Sequence, residues 1–250
     1  MVDTQRRVGL VTNGTEYAGP ALARAFAQNG YNVVIADPAD GLVDELKSAG
    51  VDVVDVKGAT DMTAEGNADK MVKAALDAFG RLDSATSFGG DIMLGAFLDS
   101  SIEDLRSMVV GGLEAPYRFL KAVTRPMVEA RSGQILVIAS ATGMKPYPNA
   151  AIYSTVRAAA VMLAKSVAVE VAYYGVQVNA IGTHFMNFPG FDAALGTADP
   201  VIRHQMEQLN PEGRFGSMEG FANLCLAFLD GKSDFVTGQM IANDGGWTVV

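Results

Sequence analysis

The sequence predicts a single α/β domain: a doubly wound parallel sheet flanked by helices on both faces. Three observations carry this reading. Short β-branched runs alternate with longer segments of helical period along nearly the whole chain. Gly30 and Gly50 follow the first two helical segments, where a left-handed residue is wanted to end a helix. No linker, repeat or low-complexity stretch divides the 250 residues, of which 49% are hydrophobic, so residues 1–250 form one domain around a sizeable core.

The elements follow in order. A strand over 8–12 leads into a helix over 19–28, whose Pro20 is tolerated in the first turn. A strand over 32–36 precedes a helix over 42–48, and a strand over 51–56 precedes a helix over 68–79. The strand over 82–87 is followed by a long helix over 102–129, entered through Ser101 and Asp104 as a capping box with Asp in place of Glu. Strand 134–140, helix 151–173, strand 177–181, helix 219–229 and strand 239–242 complete the pattern. Right-handed crossovers between parallel strands place a ligand crevice beyond their carboxyl ends. The segments to read for function are therefore 12–19, 87–91, 140–153 and 181–191.

Composition narrows the classes. With 28 acidic and 19 basic residues the net charge is −9, which disfavours a phosphate-backbone partner and so nucleic acid. The apolar runs 134–139 and 158–163 are too short to span a bilayer, and the N-terminus lacks a signal-peptide apolar region. A cytoplasmic protein without a membrane partner is expected. The single cysteine, Cys225, sits in an apolar helical run and reads as a buried structural thiol. Two histidines, His184 and His204, do not make a zinc centre, so no metal is expected.

The first loop reads Thr12-Asn13-Gly14-Thr15-Glu16-Tyr17-Ala18-Gly19. From Val8 to Asp244-Gly245-Gly246 the chain resembles the short-chain dehydrogenase/reductase family, which implies a Rossmann-like sheet. That family's loop, Thr-Gly-x-x-x-Gly-x-Gly, binds a dinucleotide pyrophosphate. Here only the last glycine is kept, and Asn13 and Tyr17 stand at the other two. Those glycines lack side chains so that backbone N–H groups can approach the phosphates. Tyr17 would fill that space, Glu16 would add a negative charge, and Pro20 removes an N–H. Asp37, at the end of the second strand, would suggest a ribose-binding acid in an NAD enzyme. It is read here as an inherited strand-end residue, and no cofactor is expected.

Ser140, Tyr153 thirteen residues on and Arg157 four further repeat the family's catalytic spacing, with Arg in place of Lys. Tyr153 and Arg157 share one helix face. A phenol of ordinary pKa, roughly 10, needs a nearby cation to serve as a base near neutrality. The exchange of Lys for Arg is not conservative, because the lysine's ribose contact is given up. The strand-four Asn-Asn-Ala-Gly of the family becomes Ser87-Phe88-Gly89-Gly90, and a relay Asn on the long helix becomes Gly112.

The two patterns together, Thr-x4-Phe/Tyr-x-Gly and Ser-x12-Tyr-x3-Arg, resemble the halohydrin dehalogenases, an offshoot of that family. The resemblance implies a cofactor-independent lyase that closes vicinal halohydrins to epoxides and opens epoxides with small anions. Ser140, Tyr153 and Arg157 would be catalytic, Tyr153 taking the hydroxyl proton. Phe185 and Met186 would offer backbone amides to a halide, with Tyr17, Thr183, His184 and Phe191 around it. Phe88, Thr142, Tyr147 and Ala150 would line the substrate side. An acid assisting the arginine is expected after strand four, where the register gives Gly89 and, two residues later, Asp91. Helices 102–129 and 151–173, with small residues over 156–160, imply a homotetramer built as a dimer of dimers, with Trp247 at a subunit contact. Two alternatives stand beside this: an NAD(P)-dependent short-chain oxidoreductase with a variant active site, favoured by Asp37 and the Ser–Tyr pair, and a non-catalytic homologue.

Overall fold

The computed structural model describes residues 6–88 and 90–250. Residues 1–5 and Gly89, on which two sequence expectations fall, lie outside them. Seven strands form one sheet among the described residues: β1 (Val8–Val11), β2 (Asn32–Ala36), β3 (Val53–Val56), β4 (Ser84–Phe88), β5 (Gly133–Ser140), β6 (Val176–Thr183) and β7 (Met240–Asn243). Their spatial order is β3-β2-β1-β4-β5-β6-β7, and every neighbouring pair is parallel. The order reverses between β1 and β4. That switch point opens the crevice at the carboxyl edge.

Alternation along the strands feeds a core on each face. Leu10, Val34, Ala85, Ile135 and Val137 pack with α3 (Asn67–Phe79), α5 (Ala115–Ala130) and α6 (Ala151–Val171). Val11, Val33, Ile35, Leu136 and Ile138 pack on the opposite face with α1 (Gly19–Gln28), α2 (Leu42–Ser48) and α9 (Met218–Leu229). Gly9 lets α1 approach β1 closely, since a Cβ there would run into the Phe26 ring. Cys225 is buried in the second core, where burial pushes its thiol well above the ordinary range and keeps it inert.

The long helix expected over 102–129 is present but not uniform. It runs as α4 (Ile102–Val109), a single π-helical turn over Val110–Glu114, and then α5. The capping box at Ser101 and Asp104 forms as read. Gly111 and Gly112 occupy the π turn, where a Cβ on Gly112 would collide with Val156 of α6. Two helices escaped the sequence reading: α7 (Pro189–Leu195) and α8 (Pro200–Glu207). Each starts with a proline in its first turn, and Asp199 caps α8 by accepting from the Val201 N–H at 2.7 Å. Helix α6 stops at Val171, and a 3-10 turn, Ala172–Tyr174, continues it. Among the described residues no helix is long and apolar enough to cross a membrane.

Candidate active site

Ser140 is the last residue of β5 and lies in register with Thr183 at the end of β6. Its hydroxyl accepts from the Thr142 N–H (3.2 Å) and from the Thr142 hydroxyl (3.0 Å), and donates to the Thr183 carbonyl (3.4 Å). Tyr153 is the third residue of α6, with Arg157 one turn on. The guanidinium carbon lies 4.8 Å from the Tyr153 ring centroid, so the cation sits over the ring. Arg157 also donates to the Gly90 carbonyl and, at 3.4 Å, to that of Asp91, while its Nε is buried without a partner among the described residues. Asp91 thus serves the arginine through its backbone, and its residue is exposed. The Tyr153 hydroxyl makes no hydrogen bond among the described residues and stays open to a ligand.

These side chains wall a cavity of about 800 Å³ at the carboxyl edge of the sheet. Phe88, Thr142, Tyr147 and Ala150 line it beside Ser140, Tyr153 and Arg157. Thr183, His184, Phe185 and Met186 from the end of β6, and Phe191 on α7, form the far wall, with Tyr17 facing them. Phe185, Phe191 and Phe215 pack as an aromatic cluster that Tyr147 joins. The N–H groups of Phe185 and Met186 make no hydrogen bond among the described residues. The Phe185 carbonyl, by contrast, accepts from Gly216, whose own carbonyl takes the Asn187 N–H. Residues Thr60 to Thr63 also line the cavity and were missed. They follow β3, whose parallel direction puts its carboxyl end at the same edge, which is the signal that could have found them.

Tyr17 spans the crevice. Its backbone is left-handed (φ 55°), and its ring packs against Phe188 (4.9 Å), Phe88 (6.0 Å) and Phe221 (6.1 Å). Its hydroxyl stands 2.7 Å from the Thr183 hydroxyl. Burial pushes the phenol well above its ordinary range, against the lowering effect of the Thr183 bond, so the hydroxyl stays protonated. Asn13 consumes loop donors: its side-chain oxygen accepts from the Thr15 and Glu16 N–H groups at 3.0 and 3.3 Å. The Asp37 carboxylate is committed too. It accepts from the N–H groups of Gly58, Ala59 and Thr60 and from the Thr60 hydroxyl at 2.7–3.0 Å. Burial alone would raise its pKa, but these bonds hold it below the ordinary carboxylate range.

A nicotinamide dinucleotide, which a fold of this kind implies, can be tested against these residues. As they stand they do not fit it. The Tyr17 ring occupies the crossing between β1 and β6, Glu16 lines the cavity, and the loop donors and Asp37 are already bonded within the chain.

The profile of the enoyl-(acyl carrier protein) reductase family matches residues 18–248. The chain belongs to the short-chain dehydrogenase/reductase superfamily. A 2,5-dichloro-2,5-cyclohexadiene-1,4-diol dehydrogenase of Sphingobium indicum is 32% identical over 247 residues, covering 97% of this chain and 96% of that one. A 3-oxoacyl-[acyl-carrier-protein] reductase of Synechocystis is 31% identical, covering 96% of each. Among solved structures, ElxO with NADP bound superposes with a TM-score of 0.89 at 21% identity, over 98% of this chain and 100% of the other, a likeness of fold.

These relatives correct the expectation of a halohydrin dehalogenase, of a carbon–halide lyase and of cofactor-independent epoxide chemistry. Full-length similarity runs to oxidoreductases, whereas the dehalogenase resemblance rested on two short patterns. Much of those patterns is superfamily property: Ser140 and Tyr153 stand where dehydrogenases of this superfamily carry theirs. Only Tyr17 and Arg157 set them apart, and local substitutions do not outweigh the rest of the chain. Trp247 also differs from the reading that put it at a subunit contact, since it is buried against His184 of its own chain.

Proposed function

We propose that this chain is a short-chain oxidoreductase with a variant active site, interconverting a small secondary alcohol and its carbonyl. The observation that carries the reading is the Ser140–Tyr153 pair at the switch-point edge of a chain that resembles dehydrogenases and reductases along its length. Tyr153, whose hydroxyl has no partner among the described residues, moves the proton at the substrate oxygen. Ser140 turns from its Thr142 and Thr183 contacts to hydrogen-bond the same oxygen and orient it. Arg157 is the variant: its charge rests on the Tyr153 ring and its N–H groups tie the segment after β4 to α6.

Nicotinamide dinucleotide is the hydride partner that the relatives' class implies, and the present position of Tyr17 opposes it. The reading therefore requires the Tyr17 side chain to leave Thr183 and the dinucleotide to bind beside Glu16 without the Thr15 and Glu16 N–H groups or the Asp37 carboxylate, which are bonded within the chain. The test is calorimetric titration with NADH and NADPH, together with their oxidation by small cyclic ketones. Wild type should bind one of them weakly, and Tyr17→Gly should bind it at least about tenfold more tightly, since one contact of this size is worth roughly 1.4 kcal/mol. Tyr153→Phe should lower turnover by about 10²–10⁴ with little change in KM, the usual share of a general acid–base. Absence of dinucleotide binding in both wild type and Tyr17→Gly would overturn the reading.

A further inference from the structure

Proton transfer at Tyr153 leaves the chemistry of His184 unused. His184 follows Thr183, which is paired with Ser140, so the imidazole stands one residue beyond the reacting hydroxyls on the same cavity wall. Its surroundings fix its orientation. The Trp247 ring stacks on it at 4.1 Å and 11°, and the Phe185 ring lies 3.9 Å away at 31°. Two rings so close cannot share one face, so both faces of the imidazole are covered. Its Nδ1 edge is 3.0 Å from the Asn210 side-chain oxygen. His184 lines the cavity, and with Nδ1 taken by Asn210 and both faces covered, the ring edge left to meet a ligand there is the one that carries Nε2.

The tautomer follows from Asn210. Its amide nitrogen donates to the Arg214 carbonyl at 3.0 Å, which turns its oxygen toward His184. That oxygen can only accept, so Nδ1 carries the proton. Burial holds the imidazole below its ordinary pKa, outweighing the raising effects of Asn210 and Asp244, with Lys145 acting in the same direction as burial. The ring is therefore neutral near neutral pH, and Nε2 is a lone-pair acceptor. It has no hydrogen-bond partner among the described residues. The Tyr147 and Phe185 rings pack on His184 and Phe191 lines the same cavity, so a ligand without a donor would leave this acceptor unpaired against an apolar wall.

We infer that Nε2 of His184 selects substrates bearing a second hydroxyl away from the reacting carbon: diols in the alcohol direction and hydroxyketones in the carbonyl direction. A neutral acceptor favours such donors and disfavours carboxylates and other anions. The inference rests on the alcohol–carbonyl reading above and names its substrate class. The dehydrogenase of Sphingobium indicum that is 32% identical to this chain is itself named for a cyclic diol.

Trp247 is the chain's single tryptophan and stacks on the imidazole, so its fluorescence reports ligands at His184 without turnover or dinucleotide. Wild-type protein is titrated with cyclohexane-1,2-diol, cyclohexane-1,4-diol and cyclohexanol. One diol should bind about tenfold more tightly than the mono-alcohol, the usual worth of one neutral hydrogen bond at a desolvated acceptor. His184→Phe keeps a stacked ring without the acceptor and should bind both alike, with its fold checked by circular dichroism. His184→Gln retains an acceptor and should keep part of the preference. The imidazole ¹⁵N spectrum should show Nε2 unprotonated in the free protein and shifted by the diol alone. Equal affinities, no binding of any of the three, a protonated Nε2, or a preference that survives in His184→Phe would each overturn the inference. A diol preference without nicotinamide-linked turnover would keep His184 as the selector of the second hydroxyl and remove the oxidoreductase reading.

Discussion

At Tyr17 a non-glycine residue holds a left-handed backbone, at a cost of about 1–2 kcal/mol. Three aromatic contacts and the Thr183 hydroxyl outweigh that cost, because burying a large ring contributes several kcal/mol. The family glycine at this position would be content with the same φ, so what the tyrosine adds is its ring in the crevice. His184 balances packing and charge differently. Its folded pKa lies below the unfolded value of about 6.5, so above that value the two states bind protons alike. As pH falls through about 6.5 the unfolded chain takes a proton that the native ring refuses, and stability drops toward the folded pKa. Asp244, near the same ring, is raised by burial but lowered more by bonds from Thr248 and Gly246 and by His184. Its loss of stability therefore falls at lower pH, outside this window. The melting temperature of wild type should fall between pH 7.5 and 5.5 by more than that of His184→Gln. An equal fall would place the acid sensitivity elsewhere. At this scale the spacing of Ser140, Tyr153 and Arg157 was legible in the sequence, and strand ends named the segments to read, while the individual wall residues were expected only from the family resemblance. The bonds of Asp37 and the His184 tautomer were not, because they depend on Gly58, Ala59, Thr60, Asn210 and Arg214, whose proximity only folding creates.

Element scale turns on how closely α6 approaches the helix in front of it. The site hangs on α6 through Tyr153 and Arg157, and Arg157 reaches the Gly90 and Asp91 carbonyls across the π turn. Gly90 lies against the backbone of Gly111, and Gly112 against Val156, leaving no room for a Cβ at Gly90 or Gly112 without displacement. A π turn widens a helix locally and often marks a functional site. Here it brings the glycine pair to the residues that hold the arginine. Substituting Gly112→Val should destabilise the fold by about 1–3 kcal/mol through overpacking, and lower turnover as Arg157 shifts. The Val156→Ala change removes the methyl groups that collide, so the double variant should recover part of both losses, a coupling measurable in a denaturant-based mutant cycle. Simple additivity would mean the two residues do not press on each other. The wide turn was invisible to periodicity, since one extra residue hardly disturbs a 3.6-residue pattern over so long a helix. Helices α7 and α8 were not read from the sequence: both are short, and each opens on a proline, a residue that punctuates loops as well as first turns.

Across the whole molecule, the parallel sheet follows from strand–helix alternation, and its order, which reverses between β1 and β4, puts the cavity at the carboxyl edge. That order also decides which surfaces stay uncovered. Helices α5 and α6 turn one side to the sheet and leave Tyr117, Met162 and Val169 on the other, with Val169 82% exposed. Tyr173 extends that apolar side past the end of α6. Large apolar side chains collected on neighbouring helices mark an interaction surface more often than scattered ones do. The occupant we propose is a second copy of the chain, paired about a two-fold axis so that α5 and α6 of each protomer face their equivalents. Burial of such residues contributes roughly 25 cal/mol per Å², and a stable interface of this kind needs at least about 1,000 Å² in total. Light scattering on the eluting protein should therefore give a mass that is a multiple of the single chain. Exchanging Met162→Glu together with Val169→Lys touches neither the cavity nor the sheet face, so it should leave the melting curve of the fold recognisable while shifting the mass downward. A wild-type mass equal to one chain, or an assembly unmoved by both charges, would show that this face meets water rather than a partner protomer.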